Sequence, residues 1–142
     1  MHERRKPFWL RPKAERRVAL LELQRECGFG PPEGWLRLLW RGGARRGALP
    51  VPPGAFVLWP AEEVLQLNQH FDVDDSYPGL FAFGSDGGPS MLAFDPRSGL
   101  GLPVVTAPFI GLSEEIHVVA ESFDAFARLA GLAPSSSGRE GP

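Results

Sequence analysis

The sequence predicts an α+β fold in one domain, a mostly antiparallel sheet flanked by helices. Three observations lead there. The chain has 142 residues, 43% of them apolar, enough for one core without disulfide or metal staples. Helical periodicity is concentrated towards the two ends, with one helical stretch between. Three short apolar runs, Leu80–Phe83, Met91–Phe94 and Leu102–Thr106, follow one another with only turn residues between them. Sequential short strands of this kind favour an antiparallel meander.

Residues 1–13 are basic and hold Pro7 and Pro12, which predicts a loosely ordered arm. From about Ala14 to Cys27, Val18, Leu20, Leu21, Leu23 and Cys27 recur at helical spacing, and Gly28 stands where a C-terminal cap belongs. Pro32 then suits the start of a second helix over Glu33–Trp40, with Trp35, Leu36, Leu39 and Trp40 apolar and Gly42-Gly43 as its stop.

"GALPVPPGAFVLWP" reads as a turn followed by a strand, Ala55–Trp59. Pro60 opens the next helix. Glu62 and Glu63 fall in its first turn, where the helix dipole favours negative charge, and Val64, Leu67 and Phe71 fall on its buried side. "DVDDSYPG" is an acidic loop before the strand runs. Asp86-Gly87 carries hairpin-turn chemistry, as do Gly84 and Gly88 beside it, and Asp95-Pro96 with Gly99 makes the next turn. "IHVVAESFDAFARLAG" gives a last strand and a helix with Ser122 as N-cap, Phe123, Phe126, Ala127 and Ala130 on one face, and Gly131 as its stop. The domain is thus expected over 14–132, with a compositionally disordered tail at 133–142.

The motifs that would carry catalysis fail one by one. No lysine lies in Gly84–Gly99, so the glycine stretch is no phosphate loop. "GFGPPE" lacks the third glycine of a dinucleotide fingerprint and follows a helix. Asp72, Asp74 and Asp75 begin like a calcium loop, but Tyr77 and Phe83 occupy the positions that need glycine and glutamate. Cys27 is the only cysteine and His2, His70 and His117 are scattered, which leaves no metal-ligand spacing and no internal disulfide. Ser113 in "GLSEE" lacks the glycine of a nucleophile elbow. The pairs Glu62/Glu63 and Glu114/Glu115 are accounted for as helix-favouring surface carboxylates. No catalytic residue, no metal and no cofactor is expected.

Charge is divided along the chain. Residues 1–46 carry twelve Lys/Arg against five Asp/Glu, and residues 47–142 carry three against twelve. A basic leading arm beside an acidic body points to charged partners. The N-terminal apolar stretch Phe8–Leu10 is too short for a signal peptide, and no run spans a bilayer, so a cytoplasmic chain without membrane insertion is expected.

The ordered pattern from about Ala14 to Leu132 resembles the SUKH superfamily, which includes fungal cell-wall-assembly regulators and many bacterial immunity proteins. "PPEGWLRLLWRGG" is similar to that family's proline-led helix through Trp35, Leu39, Gly42 and Gly43. "FVLWPAEEVLQLNQHF" resembles its strand and helix through Leu58, Glu63, Val64 and Asn68. "LFAFGSDGGPSMLAFD" resembles its hairpin at Phe83, Gly84, Asp86, Gly87, Gly88, Phe94 and Asp95. "VVAESFDAFARLAG" matches its ending at Ala120, Ser122, Phe123 and Phe126. Arg41 stands where asparagine is common, and "GLFAFG" lacks a frequent isoleucine.

The resemblance implies a non-catalytic α+β binding domain, and in bacteria an immunity protein that neutralises a cognate toxin domain, often a nuclease. Asp72, Asp74, Asp75 and Asp86, with Tyr77 as aromatic anchor, are the residues expected to meet such a basic partner. A monomer or weak dimer is expected. The alternative is an adaptor or scaffold contacting nucleic acid or another anionic surface through Arg4, Arg5, Lys6, Arg11, Lys13, Arg16 and Arg17. Net acidity and the lack of a nucleic-acid-binding motif argue against it.

Overall fold

In chain order the elements are α1 (Arg11–Glu26), α2 (Glu33–Trp40), β1 (Arg45–Ala48), β2 (Ala55–Leu58), α3 (Ala61–His70), α4 (Val73–Ser76), β3 (Phe81–Ser85), β4 (Ser90–Phe94), β5 (Val104–Pro108), β6 (His117–Ala120) and α5 (Phe123–Ala130), with a 3-10 turn at Pro96–Ser98. They are those of a computed structural model, which describes residues 11–99, 101–110 and 115–132. The six strands form one antiparallel sheet whose spatial order is the chain order. The expected α+β meander is therefore present. Residues 1–10, the tail at 133–142, and Ser113 and Glu114 lie outside the described residues.

Three expectations are corrected. The arm does not reach residue 13, because α1 already begins at Arg11, and Pro12 is tolerated in a first helical turn where its missing N–H has no partner to lose. A strand was not anticipated at Arg45–Ala48, yet β1 pairs with β2 from Arg45↔Leu58 to Ala48↔Ala55. All four of its residues are exposed at the edge of the sheet, so no inside-outside alternation marks it in the sequence. The acidic loop contains the helical turn α4, closed by Ser76 N–H to Asp72 C=O at 3.0 Å and Tyr77 N–H to Val73 C=O at 2.8 Å.

The core is aromatic. Phe83 and Phe94, on neighbouring strands, stack at 4.3 Å between ring centroids, and Trp35 of α2 meets Phe94 edge-on at 4.9 Å. Phe126 of α5 completes the group at 5.7 Å from Phe83. These four rings are fully buried, each removing apolar area worth about 2–3 kcal/mol from water. Helix α5 thus rests on the sheet through the expected Phe123 and Phe126, and α2 through Trp35 and Leu39, whereas Trp40 of its expected apolar set is exposed. Helix α1 behaves differently, since only Leu23 of its expected apolar set is fully buried, while Val18 and Leu21 are 57% and 60% exposed. Ser122 caps α5 by accepting Ala125 N–H at 3.0 Å, and Gly131 ends it at φ 73°.

Candidate partner-binding grooves

The acidic segment is positioned by a sharp reversal. Asp72 adopts the left-handed conformation, φ 51° and ψ 45°, which an aspartate tolerates better than most side chains. That reversal turns the chain from α3 into α4 and leaves Asp74 and Asp75 exposed in its first turn. Asp74 Oδ1 accepts Gly79 N–H at 3.3 Å and so ties α4 to the start of β3.

With Glu26 at the end of α1, these three aspartates line a groove of about 630 Å³. Phe29, Leu65, Leu80 and Phe81 supply apolar surface, and among the described residues no lysine or arginine is in its lining, although Arg97 packs against Gly79 at its edge. Glu26 pairs with Arg25 at 3.5 Å on the exposed surface. Among the described residues the aspartates do not converge into a group that could hold a metal ion.

Asp86 lies elsewhere. It follows the far end of β3, about 16 Å of strand from the groove at roughly 3.3 Å per residue. Its Oδ1 accepts Gly88 N–H at 2.8 Å and Ser90 N–H at 3.1 Å, which fixes the β3–β4 connection. Asp86 is thus held in the turn expected of Asp86-Gly87 and stands apart from the groove that Asp72, Asp74 and Asp75 share.

Tyr77 is corrected from partner contact to core residue. Only 1% of it is exposed, and its hydroxyl donates to Pro108 C=O at 2.7 Å. Burial, with a smaller contribution from the Glu115 carboxylate, pushes its phenol above its ordinary pKa. It anchors α4 to the sheet and is not presented to a partner.

Of the expected turn residues, Gly87 has φ 85°, and Gly88 N–H is held by Asp86. Gly84 is not in the turn. It sits in β3 at a register shift against β4, and a Cβ there would lie 2.6 Å from Val57 C=O. The position needs glycine for close backbone approach. Asp95 caps the Pro96–Ser98 turn by accepting Arg97 N–H at 3.0 Å, and it pairs with the Arg97 guanidinium at 2.9 Å. Hydrogen bonding to that guanidinium holds the Asp95 carboxyl below the usual range and raises Arg97.

A second groove, of about 430 Å³, lies between α2 and α5. Arg37 of α2, Arg41 at its C-terminal cap, Arg45 of β1 and Arg128 of α5 line it together with the apolar Leu38 and Phe123. Sequence reasoning placed the basic function on the N-terminal arm and missed this cluster. The i, i+4 pair Arg37 and Arg41 was a usable signal, but Arg128 joins it only through the tertiary fold. Two cations credited to the arm are engaged at α2. Arg16 donates to Trp40 C=O at 2.5 Å, and Arg17 lies 6.0 Å from the Trp40 ring centre.

No helix among the described residues is long and apolar enough to cross a membrane. The sequence matches no protein-family model and no curated protein at a significant level.

Proposed function

We propose that the chain is a non-catalytic protein-binding domain of the immunity type, whose acidic groove covers the basic surface of a cognate toxin domain. One observation carries the reading: Glu26, Asp72, Asp74 and Asp75 share a groove with apolar surface, and no lysine or arginine among the described residues is in its lining. Carboxylates at the rim steer a cationic partner and reject an acidic one, while Phe29, Leu65 and Phe81 offer area that contributes affinity once water is expelled. A nuclease fits as target, because a surface that attracts phosphate is rich in Lys and Arg and complements this groove. The SUKH-like order of elements supports the same class.

The test compares the full-length protein with its Asp74→Lys/Asp75→Lys variant by affinity capture from the native lysate, followed by co-expression with the captured partner. The reading expects a protein with a basic domain, retained through high salt, lost by the variant, and harmless to growth only beside the wild type. Equal retention by the variant, or no protection on co-expression, would refute it. Nucleic acid released at high salt with no specific protein would favour the basic arm.

A further inference from the structure

The α2–α5 groove shares no residue with the acidic one and has the opposite charge. Three features of it bear on what it binds.

The first is cationic density. Arg37, Arg41, Arg45 and Arg128 line a single hollow, in which Asp124 is the one carboxylate among the described residues. Arg37 has a partial partner in Glu33 at 3.5 Å, one turn earlier on α2 and 86% exposed. Exposed pairs of this kind contribute little and exchange readily, so the guanidinium remains available to an incoming acid. Guanidinium forks bind carboxylates through paired hydrogen bonds.

The second is the floor. Leu38, Phe123, Ala127 and Leu132 line the groove between the arginines. Gly34 keeps the two helices close, since a Cβ there would lie 2.9 Å from Asp124 Oδ1 and 3.5 Å from the Phe123 ring. An occupant thus meets apolar surface as well as arginines, and a phosphate backbone would not use the apolar part.

The third is the open strand edge. Arg45 is both a lining residue and the first residue of β1, and β1 forms the edge of the sheet, paired only with β2 among the described residues. Its outer backbone N–H and C=O groups are a template for another strand. The flanking Arg45 and Arg46 repel cationic segments and admit acidic ones.

We propose that the α2–α5 groove and the outer edge of β1 together bind an extended acidic peptide segment, which adds a strand beside β1 and lays its carboxylates against Arg37, Arg41, Arg45 and Arg128. Strand addition supplies affinity through main-chain hydrogen bonds, and the arginines supply the charge selection. Alternate apolar side chains of the peptide face the Leu38–Phe123 floor.

The probe is a fluorescein-labelled peptide of alternating Glu and Val, titrated with the full-length protein and read by anisotropy. Binding should weaken at least tenfold in the Arg41→Glu/Arg45→Glu variant, whose altered side chains are exposed and whose thermal unfolding should be unchanged. It should also weaken at least tenfold when alternate peptide nitrogens are methylated, which removes main-chain donors without altering charge. The Asp74→Asn/Asp75→Asn protein should retain the affinity, so this result stands or falls separately from toxin neutralisation. Equal binding of the methylated peptide, or equally tight binding of oligothymidine to the same arginines, would overturn the proposal in favour of a charge-only polyanion groove. Absence of peptide binding would also overturn it.

Discussion

The Asn68 side chain takes the place of a strand beside Ala82. Its Oδ1 accepts Ala82 N–H at 2.9 Å and its Nδ2 donates to Ala82 C=O at 2.8 Å, while the same nitrogen also reaches Val64 C=O at 2.8 Å. The reason lies in the sheet register. β2 pairs with β3 only at Val57↔Ser85 and Leu58↔Gly84, so the first half of β3 has no strand neighbour on that side. Ala82 is fully buried, and both of its main-chain groups need partners there.

Asn68→Ala should therefore cost about 2–3 kcal/mol, the expense of leaving a buried donor and acceptor unmet. Asn68→Asp should be comparably damaging at neutral pH, because a carboxylate accepts from Ala82 N–H but gives nothing to the two carbonyls. Urea unfolding of both variants measures this. A loss below about 0.5 kcal/mol in each would show that water replaces the amide without penalty.

Tyr77 is the only tyrosine, so its ionisation can be followed directly by tyrosinate absorbance. Burial raises its folded-state pKa above the ordinary value of 10.0. A group raised on folding contributes stability that is complete below its unfolded pKa and is lost as pH rises through the folded one. Stability should thus fall from about pH 10 upward, with the absorbance change delayed until the chain opens. Tyr77→Phe should flatten that alkaline dependence and cost about 1 kcal/mol at neutral pH through the lost bond to Pro108. Because the ring is buried, the variant should bind partners like the wild type.

Gly84 and Gly87 separate two uses of glycine within one hairpin. Gly84→Ala drives a methyl group to 2.6 Å from Val57 C=O and 3.1 Å from Leu58 Cδ2, so β2 and β3 must splay, at about 1–3 kcal/mol. Gly87→Ala meets nothing closer than 3.5 Å, and its cost of about 1 kcal/mol comes from φ 85° alone. Thermal melts should rank Gly84→Ala well below Gly87→Ala. Reversed order would place the constraint in the turn instead of the strand contact.

The Phe123 and Phe126 face of α5, the turn at Gly87 and the Ser122 cap were legible because each is a local rule between residues close in sequence. β1 was not, since an edge strand exposed along its whole length carries no alternation. Tyr77 was misjudged for a related reason: its neighbours Asp74, Asp75 and Gly79 are exposed, and only the fold brings Pro108 over its hydroxyl. The expected site divided because β3 carries Asp86 away from Asp72–Asp75, a separation that depends on strand length. Arg45 and Arg128 are far apart in sequence, so the arginine groove needed the packing of α5 beside α2.

Asp95 and Arg97 form a clamp whose failure should be visible in acid. Arg97 bonds Asp95 through two nitrogens, at 2.9 and 3.1 Å, and donates to Pro78 C=O at 3.3 Å, joining the turn after β4 to the loop that follows α4. Since Gly79 packs beneath the Arg97 side chain, where a Cβ would lie 2.6 Å from Cδ, this clamp also holds the loop bearing the Asp74–Gly79 bond of the acidic groove. A carboxyl depressed on folding contributes stability above its unfolded pKa, near 3.8, and loses it as pH falls through the lower folded value. Stability should therefore decline below about pH 4, and Asp95→Asn should reduce that slope. At neutral pH the substitution should cost about 1 kcal/mol, for the lost cap and a half-exposed ion pair. Arg97→Ala should cost a similar amount and also raise amide exchange at Gly79, a readout that distinguishes loosening of the groove wall from global destabilisation. Unchanged exchange at Gly79 would confine the clamp to its own turn.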